Sequence, residues 1–246
     1  MAQASLRFYG ALNYFLSPRQ REQTITHHFD WRASVKDMIE SIGPPHTEID
    51  LIVANGESIG FDTIVKDGDA IAVYADSDEA EIEPKQRLIP KVNGAPRFIL
   101  DTHLGRLASY LRMLGYDTLY RNDYPDDELA QVSHDEKRIL LTRDLGVLKR
   151  AIVEYGYYVR TTQPRQRLSE IHARYDLATF AKPYTRCMSC NGLLRDVAKS
   201  DIIAQLPEQV AASYDVFRQC LDCGKLYWKG SHTSRMQALL DDVLGL

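Results

Sequence analysis

No apolar stretch of this 246-residue chain approaches the roughly 20 residues of a membrane-spanning helix, and no membrane partner is expected. The opening Met1-Ala-Gln-Ala-Ser-Leu-Arg7 lacks the basic region and apolar stretch of a secretory leader, which points to the cytoplasm. Cysteine is scarce. The four present all lie in two Cys-x-x-Cys pairs, a spacing that in a reducing compartment signals a metal rather than disulfides. Strong charge of one sign is also missing, since 30 Lys and Arg face 34 Asp and Glu for a net of −4. The balance is uneven, however. Residues 1–90 hold 8 Lys and Arg against 15 Asp and Glu (net −7), while residues 91–246 hold 22 against 19 (net +3). The acidic part is a poor nucleic-acid binder and the remainder a candidate one, although so small an excess equally suits ordinary solvated surface. What is present is the composition of a soluble globular protein, 44% hydrophobic and 26% charged, in a length suited to one large domain or two to three small ones.

Alternation in Leu6-Arg7-Phe8-Tyr9 and in Thr24-Ile25-Thr26-His27-His28-Phe29 suggests two strands. Ser34 is placed to cap a helix whose Val35, Met38, Ile39 and Ile42 share one face, and Gly43-Pro44-Pro45 ends it. Residues 50–56 read as a strand running into a turn, Ile59-Gly60-Phe61 as a short strand, and Asp67-Gly68-Asp69 as the turn into a strand from Ala70 to Tyr74. The order ββαβββ predicts a β-grasp domain over residues 1–80. Residues 5–76, through Val53-Ala-Asn-Gly56, Phe61 and Asp67-Gly68-Asp69, resemble the ubiquitin-like sulfur carriers of the molybdopterin and thiamine pathways. Those carriers act through a C-terminal Gly-Gly, whereas this chain runs on through an acidic stretch to Pro84. A docking role toward a protein partner, or a plain structural appendage, is therefore expected in place of sulfur chemistry. Residues 81–96, with two prolines and Asn93-Gly94-Ala95-Pro96, read as a linker.

The next stretch carries the chemistry. Phe98-Ile99-Leu100 is an apolar run that ends in Asp101, and Ile139-Leu140-Leu141-Thr142 is a second that ends in Arg143-Asp144. Each is followed by a helical pattern, as central strands of a parallel sheet are. The first of those helices shows Leu104, Leu107, Leu111 and Leu114 on one face and closes at Gly115. Further strands are expected at Tyr116–Tyr120 and Tyr157–Thr161, with helices from Asp126-Asp127-Glu128 and over Leu145, Leu148, Ile152 and Val153. Asp101 and Asp144 then lie outside the carboxyl ends of the strands, where open α/β sheets bind ligands. Carboxylates gathered there repel one another unless a hard cation such as magnesium or manganese lies between them. Such a site suits in-line attack of water on a phosphodiester. Asp126 and Asp127 are candidates for a third acid, with helix capping as the ordinary alternative. Asp101-Thr102-His103 has no second Asp two residues on, which weighs against an aspartyl-phosphate mechanism. Arg106 is close enough to the helix start to reach a phosphate, and Arg112 also falls off the apolar stripe.

Cys187-Met-Ser-Cys190 and Cys220-Leu-Asp-Cys223 form two knuckles that together offer four thiolates to one structural zinc, a closed and non-catalytic site. Gly192 and Gly224 suit the knuckle turns, and Tyr214–Arg218 and Leu226-Tyr-Trp228 read as ribbon strands. Arg186, Arg195, Arg218, Lys225 and Lys229, with Tyr227 and Trp228, form either an RNA-contacting face or, for the aromatics, part of a core. Met236, Leu239, Leu240 and Val243 mark a closing helix, and His232 is a candidate surface histidine rather than a ligand.

The runs Phe98–Ala108, Leu111-Arg112-x-Leu114-Gly115-Tyr-Asp117, Asp126-Asp-Glu-Leu129 and Arg138–Asp144 resemble the Mut-seven C-terminal RNase domain family over about residues 96–230. The resemblance implies a PIN-like nuclease core over residues 97–180, a zinc ribbon with its closing helix over residues 181–246, and a ubiquitin-like companion at the N-terminus. It also implies cleavage of RNA with magnesium or manganese on Asp101, Asp126 and Asp144, Asp127 being the alternate for Asp126. Around them Arg106 and Arg112 are expected to bind substrate, and Thr142 and Arg143 to shape the site and bind substrate with them. The rival readings are a non-catalytic zinc-ribbon adaptor for RNA and a toxin-like nuclease held by a partner.

Overall fold

The computed structural model describes residues 1–85 and 87–244, without the side chains of residues 231–236 and 239. The N-terminal strands are β1 (Ala2–Tyr9), β2 (Thr24–Phe29), β3 (Leu51–Ala54), β4 (Glu57–Ile59) and β5 (Ala70–Tyr74), with helix α1 (Val35–Ile42) between β2 and β3. They form one sheet in the order β2-β1-β5-β3-β4, with β1 and β5 parallel and the other neighbours antiparallel. Leu6, Phe8, Ile52 and Val73 pack against Val35, Met38 and Ile39 of α1, which gives the β-grasp core. Ser34 caps α1 by accepting from Asp37 N, and a side chain on Gly43 would strike the Phe15 carbonyl at 2.5 Å, so the helix ends there. Asn55 and Gly56, with φ of 52° and 85°, make a tight hairpin turn that starts β4 at Glu57, two residues before the expected strand.

Residues 81–96 form neither helix nor strand among the described residues, yet the connection is tied down. Leu88 N donates to Asp50 O and Leu88 packs on the first core, while Val92 packs on the second.

The second sheet holds β6 (Phe98–Leu100), β7 (Thr118–Tyr120), β8 (Ile139–Thr142) and β9 (Gly156–Tyr158) in the order β7-β6-β8-β9, all parallel. Helices α2 (Gly105–Met113), α3 (Asp126–Glu136) and α4 (Leu145–Leu148) follow β6, β7 and β8, and α5 (Pro164–Tyr175) and α6 (Leu177–Phe180) follow β9. On one face, Phe98, Leu100 and Leu141 pack on Leu104, just before α2, on Leu107 and Leu111 of α2 and on Leu168 and Ile171 of α5; on the other, Ile99 and Leu140 meet Leu129, Val147 and Val153. Helices thus cover both faces. The helix expected to run to Val153 stops at Leu148; Val153 is buried through the following turn, and Ile152 is exposed. α5 has no counterpart in the sequence reading, although Leu168, Ile171 and Tyr175 show helical spacing.

The third sheet, β10 (Leu194–Val197), β11 (Phe217–Cys220) and β12 (Leu226–Trp228), is antiparallel, with the short α7 (Lys199–Ile202) and α8 (Glu208–Ser213) between its first two strands. The final helix, α9 (Ser231–Leu244), returns to the α/β core, where Leu240 and Leu244 are buried and Val243 packs. Of the face expected to dock it, Met236 and Leu239 lie outside the described side chains, as does His232. Among the described residues no helix is long and apolar enough to cross a membrane.

Candidate active site and four-cysteine ribbon

From β6 the chain crosses to β7 on one side and then to β8 on the other. The order therefore reverses between β6 and β8, the switch point at which doubly wound sheets open a crevice. Asp101 leaves β6 there, its N–H still bonded to Leu141 O at 3.1 Å. Its carboxylate accepts from Thr102 N and Oγ1 on Oδ1 and from Thr142 Oγ1, 2.7 Å away, on Oδ2. The same Thr142 oxygen accepts from Asp144 N at 2.9 Å, so one hydroxyl joins the ends of two strands. Asp144 Oδ1 in turn accepts from Gly146 N at 2.6 Å and caps α4. Both acids are thus fixed in direction. Among the described residues no Lys or Arg forms an ion pair with Asp101, Asp126, Asp127 or Asp144.

Asp126 and Asp127 are exposed in the first turn of α3, but the cap position belongs to Pro125, and neither acid caps the helix. Their charge complements the helix dipole instead. Asp126 enters from the loop after β7, at the same edge of the sheet as the other two acids. The three carboxylates do not close on one another. Among the described residues the one set of three or more potential ligands whose donor atoms all lie within 4.8 Å is formed by the cysteines.

The residues expected to touch substrate divide sharply. Arg106 is exposed on the first turn of α2. Arg143 is half-buried and braces the chain beyond β9, donating to the carbonyls of Val159, Arg160 and Thr161 at 2.7, 2.8 and 3.0 Å. Thr142 is fully buried and reaches Asp101 rather than solvent, which fits its expected part in shaping the site and not a direct contact with substrate. Arg112, expected to bind substrate, is corrected. It is 4% exposed and points inward, donating to Thr118 O and to the knuckle carbonyls of Met188 and Ser189 at 2.9, 3.2 and 2.9 Å. Burial pushes its pKa down against the pull of the nearby Cys190 and Cys187.

Two residues at this edge escaped the sequence reading. Arg167 on α5 donates to Thr161 O and His103 O at 3.1 Å each, and burial together with the neighbouring Arg143 lowers its pKa, so two guanidiniums share this corner. Tyr120, the last residue of β7, donates to Thr102 O at 2.8 Å and covers Gly105, where any side chain would collide with its hydroxyl at 2.6 Å. That contact holds the turn carrying Asp101.

The cysteines meet where the sequence spacing brought them. Cys187 Sγ lies 3.7 Å from Cys223 Sγ, and Cys190 Sγ lies 3.4 Å from Cys220 Sγ. Four sulfurs around a tetrahedral zinc at about 2.3 Å would stand about 3.8 Å apart, so this donor set fits such an ion. Burial opposes ionisation of Cys187, but hydrogen bonds from the Tyr227 hydroxyl and from the backbone of Cys190 and Ser189 prevail and bring its pKa down to about 6. Burial and the other three thiols push Cys190 up to about 12. The ribbon is docked on the other end of the α/β sheet from Asp101 and Asp144. Asn191 caps Thr118 N at 2.9 Å, and Asp117 collects Arg138, Asn191 and Arg186.

The β-grasp domain closes the outer edge of the same sheet. Glu48 is 5% exposed and accepts from Tyr158 N, on the free edge of β9, and from Arg160, both at 2.7 Å. His46 Nε2 donates to Val153 O at 2.9 Å, and Lys149 Nζ donates to Glu40 O at 2.6 Å. Phe15 packs on Tyr158 with ring centroids 5.5 Å apart, and the Arg143 guanidinium lies 5.8 Å from the same ring. A strand edge that would otherwise invite pairing is thus covered.

Taken together, the molecule is a doubly wound α/β domain with acids at its switch point, covered at one edge by a β-grasp domain and at one end by a four-thiol ribbon. The family model of the Mut7-C RNAse domain matches residues 96–240, and that of the Mut7-C ubiquitin domain matches residues 1–81. The chain belongs to the Mut7-C RNAse domain family, and its function is nuclease-like in general terms. No curated protein and no solved structure matches the chain.

Proposed function

We propose that this protein is a ribonuclease that hydrolyses RNA phosphodiester bonds at the switch point of its α/β sheet, with magnesium or manganese as the catalytic ion and zinc as the structural one. The observation that carries the reading is the Asp101–Thr142–Asp144 bridge, two oriented carboxylates that form no ion pair with a cationic side chain among the described residues, in a chain of an RNase family. Magnesium is commonly held by one or two carboxylates with substrate phosphate and several waters, so Asp101 and Asp144 would hold the ion, with Asp126 adding charge from its exposed turn. When bound, the ion would lower the pKa of an attacking water and stabilise charge on the scissile phosphate. Asp101 and Asp144 fix the line of approach, Thr142 keeps the two carboxylates in register, and Arg106 with the exposed side of Arg143 and Arg167 draws in the phosphate backbone. The β-grasp domain holds β9 in place and offers its remaining surface to a protein partner.

The test is cleavage of a labelled single-stranded RNA in added magnesium or manganese. We expect Asp101→Asn to lower the rate by about a hundredfold or more, the usual scale for losing one preorganised electrostatic contact to a transition state. An undiminished rate in that variant overturns the site. RNA binding without any cleavage in the parent protein favours the adaptor reading instead.

A further inference from the structure

At the end of the α/β sheet remote from the acids, the ribbon and α8 enclose a groove of about 960 Å³. α2 runs back from the Asp101 turn to this groove, where Met113 forms part of the lining. Nine helical residues span about 14 Å, so the groove is separate from the switch-point crevice. Its walls carry Tyr214, Tyr227 and Trp228 together with Arg218, Lys225 and Lys229, and among the described residues no acidic side chain lines it.

The chemistry of that lining selects the occupant. Arg218 is held in place by Asp196 at 2.9 Å and by the Tyr184 carbonyl at 2.6 Å. Lys225 and Lys229 are exposed, and among the described residues neither forms an ion pair, so the rim has positive charge without a counter-charge. Between the rims the rings stand among aliphatic side chains such as Leu194, Val210, Val216 and Leu226. Gly230 leaves room there, since a side chain on it would stand 3.2 Å from the Trp228 indole nitrogen and 3.5 Å from the Tyr214 hydroxyl. A partly exposed floor of rings and aliphatic side chains beside two lysines without a counter-charge matches unpaired bases joined by phosphates better than it matches an acidic peptide, whose side chains would leave the rings uncovered. A duplex would present no free bases to stack.

We propose that this groove is an anchoring site for single-stranded RNA, which holds a segment of the substrate away from the scissile bond. It rests on the ribonuclease reading only for its purpose, since RNA binding in the groove is measurable without cleavage. Two consequences follow from its distance to the acids. An RNA long enough to reach both places can be held at both, and one of two or three nucleotides can occupy the groove or the acids but not both.

The experiment is a fluorescence anisotropy titration of labelled single-stranded RNA, a 20-mer and a trimer, with the zinc-loaded full chain bearing Asp101→Asn and no added magnesium or manganese. For the 20-mer we expect Lys225→Glu with Lys229→Glu to weaken binding at least about tenfold. Removing two phosphate contacts should also lower the salt slope by about 1.4, from the single-strand value of about 0.7 per contact. Tyr214→Ala should weaken binding about five- to a hundredfold, the range for loss of one stacked base. The trimer should bind more weakly than the 20-mer and lose affinity in the same variants. Zinc content and melting temperature are read on every variant, and Lys225→Gln with Lys229→Gln replaces the charge reversal if that protein does not fold. Unaltered 20-mer affinity and salt slope in these variants overturn the proposal, as does tighter binding of an acidic peptide than of RNA. Loss of 20-mer binding in a protein that never cleaves RNA leaves the groove standing and removes the ribonuclease reading alone.

Discussion

Replacing Thr142 by Val should disable the candidate active site while leaving the core full. The two side chains have nearly the same shape, and Thr142 is wholly buried, so the change removes a hydroxyl and creates no cavity. Two contacts go with it. The 2.7 Å hydrogen bond to the Asp101 carboxylate is charge-assisted and contributes about 1.5–3 kcal/mol. The Asp144 amide, which donates to the same oxygen at 2.9 Å, is left without its acceptor and must find water at the half-exposed edge. A net loss of about 2–3 kcal/mol corresponds to a fall in Tm of about 5–10 °C for a chain of this size. The effect on chemistry should be larger than stability alone demands, because both proposed metal ligands lose their common brace. Groups that orient metal ligands typically account for 10- to 100-fold in metal affinity or activity, by order of magnitude. Thermal melts and a manganese titration of RNA cleavage measure the two quantities, and Thr142→Ser, which keeps the hydroxyl, should recover most of the activity. If Thr142→Val melts lower but cleaves within about twofold of the parent at every metal concentration, the bridge is structural only and the reasoning fails.

Two further outcomes are expected. Glu48→Gln removes the charge that faces Arg160 and weakens the acceptor for the Tyr158 amide, so the β9 edge should open. Breaking one side of such a buried pair costs up to about 3–5 kcal/mol, less here because Arg160 retains 18% exposure. Hydrogen exchange at Tyr158 should accelerate, and unchanged exchange would show that the β-grasp domain does not hold the strand. Acid should loosen the ribbon from the core through Asp117. Burial alone would raise its pKa, but hydrogen bonds from Arg138 and Asn191 and the charge of Arg186 prevail and lower it. Its stabilising contribution is therefore complete above the unfolded value of about 4 and disappears as pH falls through the lower folded value. Asp117→Asn should flatten the dependence of Tm on pH across that window, and parallel curves for the two proteins would refute the assignment.

Much of the fold was legible wherever a local pattern had one physical cause. Phe98–Leu100 and Ile139–Thr142 are uniform apolar runs because both faces of the strand are covered, and both strands appear where expected. Leu104, Leu107, Leu111 and Leu114 are all buried, as a single helical stripe requires. The cysteine knuckles, too, were plain, since paired thiols at that spacing have few other uses. Other features were hidden. β10 and α5 carry too few apolar residues to stand out from surface sequence, and β4 begins two residues early because the Asn55-Gly56 turn, not the apolar pattern, sets its register.

The chain by itself determined which residues form strands in the α/β core, which acids end them, and where four thiols meet, because periodicity, strand-end carboxylates and ligand spacing are encoded locally. Only the tertiary structure decided what those residues do. Arg112 and Arg106 are six positions apart on one helix, yet one turns inward to knuckle carbonyls and the other stays in solvent, since the ribbon packs over only one of them. In the same way Thr142 is a brace and not a contact, because β6 lies beside β8 and brings Asp101 against its hydroxyl. Such roles depend on which distant segment supplies the other half of each hydrogen bond, and no short stretch of sequence contains that information.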